Sequence, residues 1–162
     1  MEMDFALRSP SAEGGLLVSA LEFPIVLRYC LETCSSTPEA IQKLLSVPVH
    51  MVYNVTLIDA KMDFATVYFT PGMANRVVYH PVGTNHQEEI TGPDYATMTR
   101  TVERKELLDY AIVNLGESEE SMIQRFLHPP LFNTAYAKAF GTLYTAIYSP
   151  ITKGLTLKWP QK

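Results

Sequence analysis

The chain has little cysteine: two residues in 162, Cys30 and Cys34, spaced four apart. That spacing places both thiols on one face of a helix. It argues against a disulfide framework, because a bridge within one helix is geometrically awkward. It also falls short of a zinc site, which needs two more ligands that the four histidines do not supply. The sequence contains neither an H-x-x-x-H nor a C-x-x-C pattern, so no metal and no cofactor is expected. Positive charge is scarce as well. Thirteen basic residues face 17 acidic ones, and the net charge of −4 gives no electrostatic reason to expect nucleic acid. No apolar run approaches the roughly 20 residues that span a bilayer, so no membrane partner is expected. The opening Met1-Glu2-Met3-Asp4-Phe5 lacks the basic-then-apolar order of a signal peptide, and a cytoplasmic protein is the expectation.

What is present is an ordinary globular composition, long enough to bury about 70% of its unfolded surface. Residues 1–12 read as a weakly ordered lead-in, and residues 13–162 as one domain without repeat or linker. Leu16 to Leu21 is a short apolar strand candidate. Pro24 suits the first turn of a helix running through Ile25, Val26, Tyr29 and Cys30. Ser36 or Thr37 can cap a second helix, with Pro38 and Glu39 at its start and Ala40, Ile41, Leu44 and Leu45 as its apolar stripe. From Val49 to Leu57 apolar residues alternate with mostly polar ones, a half-buried strand. Phe64–Thr70 and Arg76–His80 continue as two more strands, and the short connections imply an antiparallel meander. Gly92-Pro93-Asp94 interrupts the loop that follows. Thr101 opens a long helix stopped by Gly116, and Glu117 or Ser118 opens another reaching Leu127. Gly141–Tyr148 and Gly154–Trp159 close the chain as a hairpin. Helices and antiparallel strands come in separate blocks, so the fold class is α+β.

The segment Gly83-Thr84-Asn85-His86-Gln87 carries the most chemistry. An Asn carboxamide at the end of a strand can aim its N–H at a developing oxyanion, a contribution of about 3–4 kcal/mol to the transition state. No neighbour reads as a nucleophile. Cys30 and Cys34 lie in or near the end of a helix, where the dipole does not favour a thiolate. His86 could border a pocket. His50 and His80 fall in strands that could share a sheet, and His128 abuts two prolines. Arg100 and Arg104 both lie near the start of the long helix, within reach of the Asn85 loop if the chain folds back. Asn54-Val55-Thr56 matches a glycosylation sequon by chance.

Taken in order, several segments resemble a known group. Glu13-Gly14-Gly15-Leu16, then Pro24 to Cys34 and Thr37-Pro38-Glu39-Ala40, resemble the helical pair of the cysteine N-terminal-nucleophile hydrolases. The closer likeness is to the penicillin acyltransferase-like and bile salt hydrolase-like group. Tyr53 to Asp59, Ala65-Thr66-Val67, Thr84-Asn85-His86, Thr101 to Arg104 with Leu108, and Gly141 to Pro160 continue that pattern to the end of the chain. The resemblance implies a four-layer αββα sandwich, here a partial one with antiparallel sheets flanked by helices. It implies a cysteine exposed as a new N-terminus, whose α-amine serves as base and whose thiolate attacks an amide or acyl carbonyl. Asn85 matches the oxyanion-hole Asn, and Arg104, in preference to Arg100, the arginine that orients the nucleophile. Tyr53, Thr84 and His86 are the substrate-pocket candidates. Two departures follow: residues 1–12 contain no cysteine, and Ala12 stands where the family has a second oxyanion Asn. The chain therefore reads as the C-terminal part of a linear-amide hydrolase or acyltransferase. It would act on a small-molecule amide or acyl substrate, and its partners would be a missing N-terminal fragment or a second copy. The alternative is a non-catalytic binding or assembly protein that retains the fold.

Overall fold

A computed structural model describes residues 23–49, 51–87, 93–114, 116–138 and 141–160. The lead-in, the strand candidate at Leu16–Leu21, His50 and Leu115 lie outside the described residues. Helix α1 spans Phe23–Thr33 and buries Phe23, Val26 and Cys30, spaced three and four apart on one stripe. Helix α2 spans Thr37–Leu45. The Ser36 hydroxyl accepts from the Glu39 N–H at its N-terminus, and Pro38 occupies its first turn.

Three antiparallel strands follow in meander order: β1 (Tyr53–Ile58), β2 (Phe64–Phe69) and β3 (Arg76–Val78). Val55 pairs with Val67, and Thr56 with Thr66. Alternation divides the sheet into two unlike faces. Val55, Ala65, Val67 and Phe69 join Phe23, Val26, Cys30, Ile41 and Leu44 in the core beneath α1 and α2. Asn54, Thr56 and Thr66 point the other way. The helical layer is tied to the sheet by one carboxylate. Asp59, in the β1–β2 turn, accepts from the backbone N–H of Thr37 at 2.9 Å, and the Thr37 hydroxyl donates to the Asp63 carbonyl at 2.8 Å.

The remaining chain runs through α3 (Pro93–Thr99), α4 (Thr101–Val113), α5 (Glu119–Arg125) and a 3₁₀ turn at Tyr136–Lys138 into the hairpin of β4 (Thr145–Ser149) and β5 (Gly154–Lys158). Antiparallel sheets and helices together make the architecture α+β, as the block pattern implies.

Several boundaries differ from expectation. β1 starts at Tyr53, not Val49, and β3 ends at Val78, so His80 is not a strand residue. Its Nε2 lies 2.6 Å from the Asp109 carboxylate instead. α3 replaces what reads as a loop; Pro93 begins it, a position where the missing N–H is harmless. α5 stops at Arg125, before Leu127. β4 starts at Thr145, not Gly141, because the backbone at Thr142 is bonded to Asn133: its N–H donates to the Asn133 carbonyl at 2.7 Å.

Candidate functional site

The polar face of the sheet, the segment after β3, helices α4 and α5 and the segment after α5 line a half-open pocket of about 380 Å³. Thr56, Gly83, Thr84, Arg104, Leu108 and Phe126 are among its walls. The polar groups come from the sheet, the loop and the first turn of α4; the apolar ones come from the same loop (Pro81, Val82), from α4 and α5 and from the segment after α5. Gly83 fits because it has no side chain: a Cβ there would collide with Thr56 Oγ1 and come within 3.4 Å of Thr66 Oγ1.

Asn85 is exposed and lies two residues beyond that glycine. Arg104 Nη2 donates to its Oδ1 at 2.9 Å, and Arg104 Nη1 donates to the Thr99 carbonyl at 3.3 Å. This fixes the sense of the carboxamide. With Oδ1 turned to the guanidinium, Nδ2 carries two N–H donors away from it, and a cation bonded at the oxygen polarises those donors. Arg100 is engaged elsewhere. It sits in the left-handed region at φ 50°, just before α4, and its guanidinium donates two hydrogen bonds, from Nε and Nη2, to the Glu103 carboxylate. The Arg100 hydrogen bond holds the Glu103 carboxyl below its ordinary pKa.

The other expected site residues divide between the two faces. Thr84 is buried and lines the cavity, and its hydroxyl meets His86 Nδ1 at 3.1 Å. The same ring nitrogen lies 3.2 Å from the hydroxyl of fully buried Thr101. His86 is thereby fixed between the loop and the start of α4. Tyr53 is not brought to this group. Its ring stacks on Phe23 with centroids 4.0 Å apart, on the core face of the sheet. The cysteines also lie on the core side. Cys30 is buried, and desolvation, with Cys34 beside it, raises its thiol above the ordinary value. Neither thiol lines the cavity. Among the described residues no group of three or more His, Cys, Asp or Glu side chains is placed to hold a metal ion.

Two residues that sequence reasoning passed over complete the arrangement. Asn54 Nδ2 donates to the carbonyls of Thr84 at 2.7 Å and His86 at 3.2 Å, the two residues flanking Asn85. Gln87 is buried, and its Nε2 donates to Asn54 Oδ1 at 2.7 Å. The available signal was an amide side chain at an alternate position of an otherwise β-prone strand, where it must find partners if half-buried.

Residues 18–162 match the family described as acyl-coenzyme A:6-aminopenicillanic acid acyl-transferase. The chain belongs to that family. No curated protein and no solved structure matches it. Membership carries an acyltransferase or hydrolase-like role and a small-molecule acyl substrate for the family fold. Among the described residues no helix is long and apolar enough to cross a membrane.

Proposed function

We propose that this chain supplies the oxyanion-stabilising side of an acyl-transfer site, within the penicillin acyltransferase-like and bile salt hydrolase-like branch of its family. Asn85 donates to the tetrahedral oxyanion, and Arg104 sets the orientation of its carboxamide and adds positive charge nearby. The observation that carries this reading is the 2.9 Å bond from Arg104 to Asn85 Oδ1 beside a cavity that Arg104 lines. The attacking sulfur comes from outside this chain, in a cytoplasmic enzyme that cleaves or forms a linear amide. Two things speak against Cys30 as that sulfur: it is buried on the far side of the sheet, and its raised pKa disfavours the thiolate. The partner in this reading is a nucleophile-bearing fragment or a second copy.

The test is turnover of penicillin V, glycine-conjugated bile acids and simple N-acyl amides. The chain alone is expected to be inactive, and addition of a fragment bearing an N-terminal cysteine to restore activity. Asn85→Ala in the restored enzyme should then cost roughly 100-fold or more in kcat. Turnover by the chain alone that disappears in Cys30→Ala would overturn the proposal. Restored activity indifferent to Asn85→Ala would favour a binding or assembly role for the chain.

A further inference from the structure

The loop that carries Asn85 has no regular secondary structure of its own between β3 and the end of the described segment at Gln87, apart from a single bridge residue. An irregular connecting segment ordinarily varies in position more than the elements it joins. A donor aimed at a reacting atom does not tolerate such freedom, since displacement of about 1 Å is enough to weaken it severely. Something outside the loop must therefore fix it, and the bonds to its backbone identify the group.

We propose that Asn54 is the positioning residue for this loop, a role that rests on the reading of Asn85 given above. Its single carboxamide nitrogen spends both protons on the carbonyls of Thr84 and His86. These lie immediately before and after Asn85, so the one residue between them is held at both ends. Asn54 sits inside β1, paired with Tyr68 of β2, so the anchor belongs to the most regular part of the fold. Its own orientation is fixed in turn. Gln87 Nε2 donates to Asn54 Oδ1 at 2.7 Å and also reaches the carbonyls of Tyr53 and Phe69 at 3.3 and 3.2 Å. The Thr70 hydroxyl donates to Gln87 Oε1 at 2.8 Å, which leaves Gln87 no freedom to flip. The chain of bonds runs from β2 through Gln87 and Asn54 to the backbone around Asn85, and Arg104 closes it from α4 through the side chain. Asparagine suits the position because it offers two donors from one atom and one acceptor. Aspartate has the same shape but would set a carboxylate oxygen against two carbonyls.

The experiment reads the Asn85 side-chain amide by proton–nitrogen NMR of the whole chain, with its resonances identified by their loss in Asn85→Ala. In Asn54→Asp and in Asn54→Ser these resonances should move to the positions of a freely rotating asparagine amide, while β1–β2 backbone resonances stay in place. Val55→Ala is the control. It removes core packing from the adjacent residue of the same strand, so it should lower the thermal midpoint and leave the Asn85 amide unmoved. If neither Asn54 variant folds, the native protein still decides. The Asn54 amide protons should then exchange with solvent at least about tenfold more slowly than those of Asn85, as two neutral hydrogen bonds require. Asn85 resonances indifferent to Asn54 substitution, or unprotected Asn54 protons, would overturn the proposal. These readouts do not depend on turnover. Activity insensitive to Asn85→Ala would defeat the oxyanion reading, whereas unmoved resonances in an enzyme that needs Asn85 would defeat the Asn54 proposal alone.

Discussion

Adding one methyl group at Gly83 should destabilise the protein by about 1–3 kcal/mol. The figure follows from what surrounds the missing Cβ. The new atom collides with Thr56 Oγ1, which lies 2.9 Å from the hydroxyl of Thr66. Either the backbone at residue 83 retreats, at the cost of about 1–3 kcal/mol usual for overpacking, or Thr56 rotates about χ1. Rotation breaks the Thr56–Thr66 hydrogen bond. Thr66 is only 1% exposed, so its hydroxyl would be left buried without that partner, a penalty of about 1–3 kcal/mol. For a chain of this size each kcal/mol corresponds to about 2–4 °C in Tm, so Gly83→Ala should melt roughly 2–12 °C lower. A double-mutant cycle isolates the cause. Thr56→Ala removes the colliding oxygen and leaves a Cβ 3.7 Å away, an ordinary contact. Thermal or urea denaturation of the four proteins should show Gly83→Ala/Thr56→Ala more stable than the sum of the single changes by about 1–3 kcal/mol. Additivity to within about 0.5 kcal/mol would refute the steric account. The loop beyond Gly83 gives a second readout: if the backbone is what retreats, the Asn85 side-chain resonances shift in Gly83→Ala and return in the double variant.

Three further outcomes are expected. Arg104→Gln in an enzyme with its nucleophile restored should lower kcat by roughly ten- to 100-fold with little change in KM, because it weakens a donor used only in the transition state; a change confined to KM would argue against that role. Asp59 accepts backbone N–H bonds from Thr37, Lys61 and Asp63, and the bond from Thr37 does most to hold its carboxyl below the ordinary value. A depressed folded pKa means stabilisation that is present above the unfolded value of about 3.9 and lost as the pH falls through the folded value. Acid denaturation of Asp59→Asn should therefore be less stable at neutral pH and shallower below about pH 4 than that of the parent, and parallel curves would contradict the assignment. Alkylation followed by mass spectrometry should label Cys30 at least about tenfold more slowly than half-buried Cys34 in the native protein, in keeping with its burial and raised pKa, and equal labelling rates would contradict the burial.

Local rules made much of the fold legible. Ser36 with Pro38 marks the start of α2 because a hydroxyl and a missing N–H both suit the first turn, and the hydroxyl of Ser118 alone marks α5. The β1–β2–β3 meander followed from alternation and short connections. Where local rules failed, a longer-range contact decided. Gly141 to Tyr144 has strand composition, yet the bonds between Thr142 and Asn133 hold it out of the hairpin. Arg100 and Arg104, four residues apart, look interchangeable near a helix start. The left-handed conformation of Arg100 puts it outside the helix and on Glu103, and leaves Arg104 to face the loop.

The order of residues alone determined the alternation of helices and antiparallel strands, the family pattern and the candidacy of Asn85, because capping, pleating and motif order are properties of near neighbours. Only the tertiary structure decided which arginine meets Asn85, that Tyr53 turns to the core and that Asn54 holds the loop. Those contacts join residues from 19 to 32 positions apart, and the partners of Tyr53 and Asn54 are set by which face of the sheet each side chain occupies. Strand register settles that face, and a single-residue slip would reverse it.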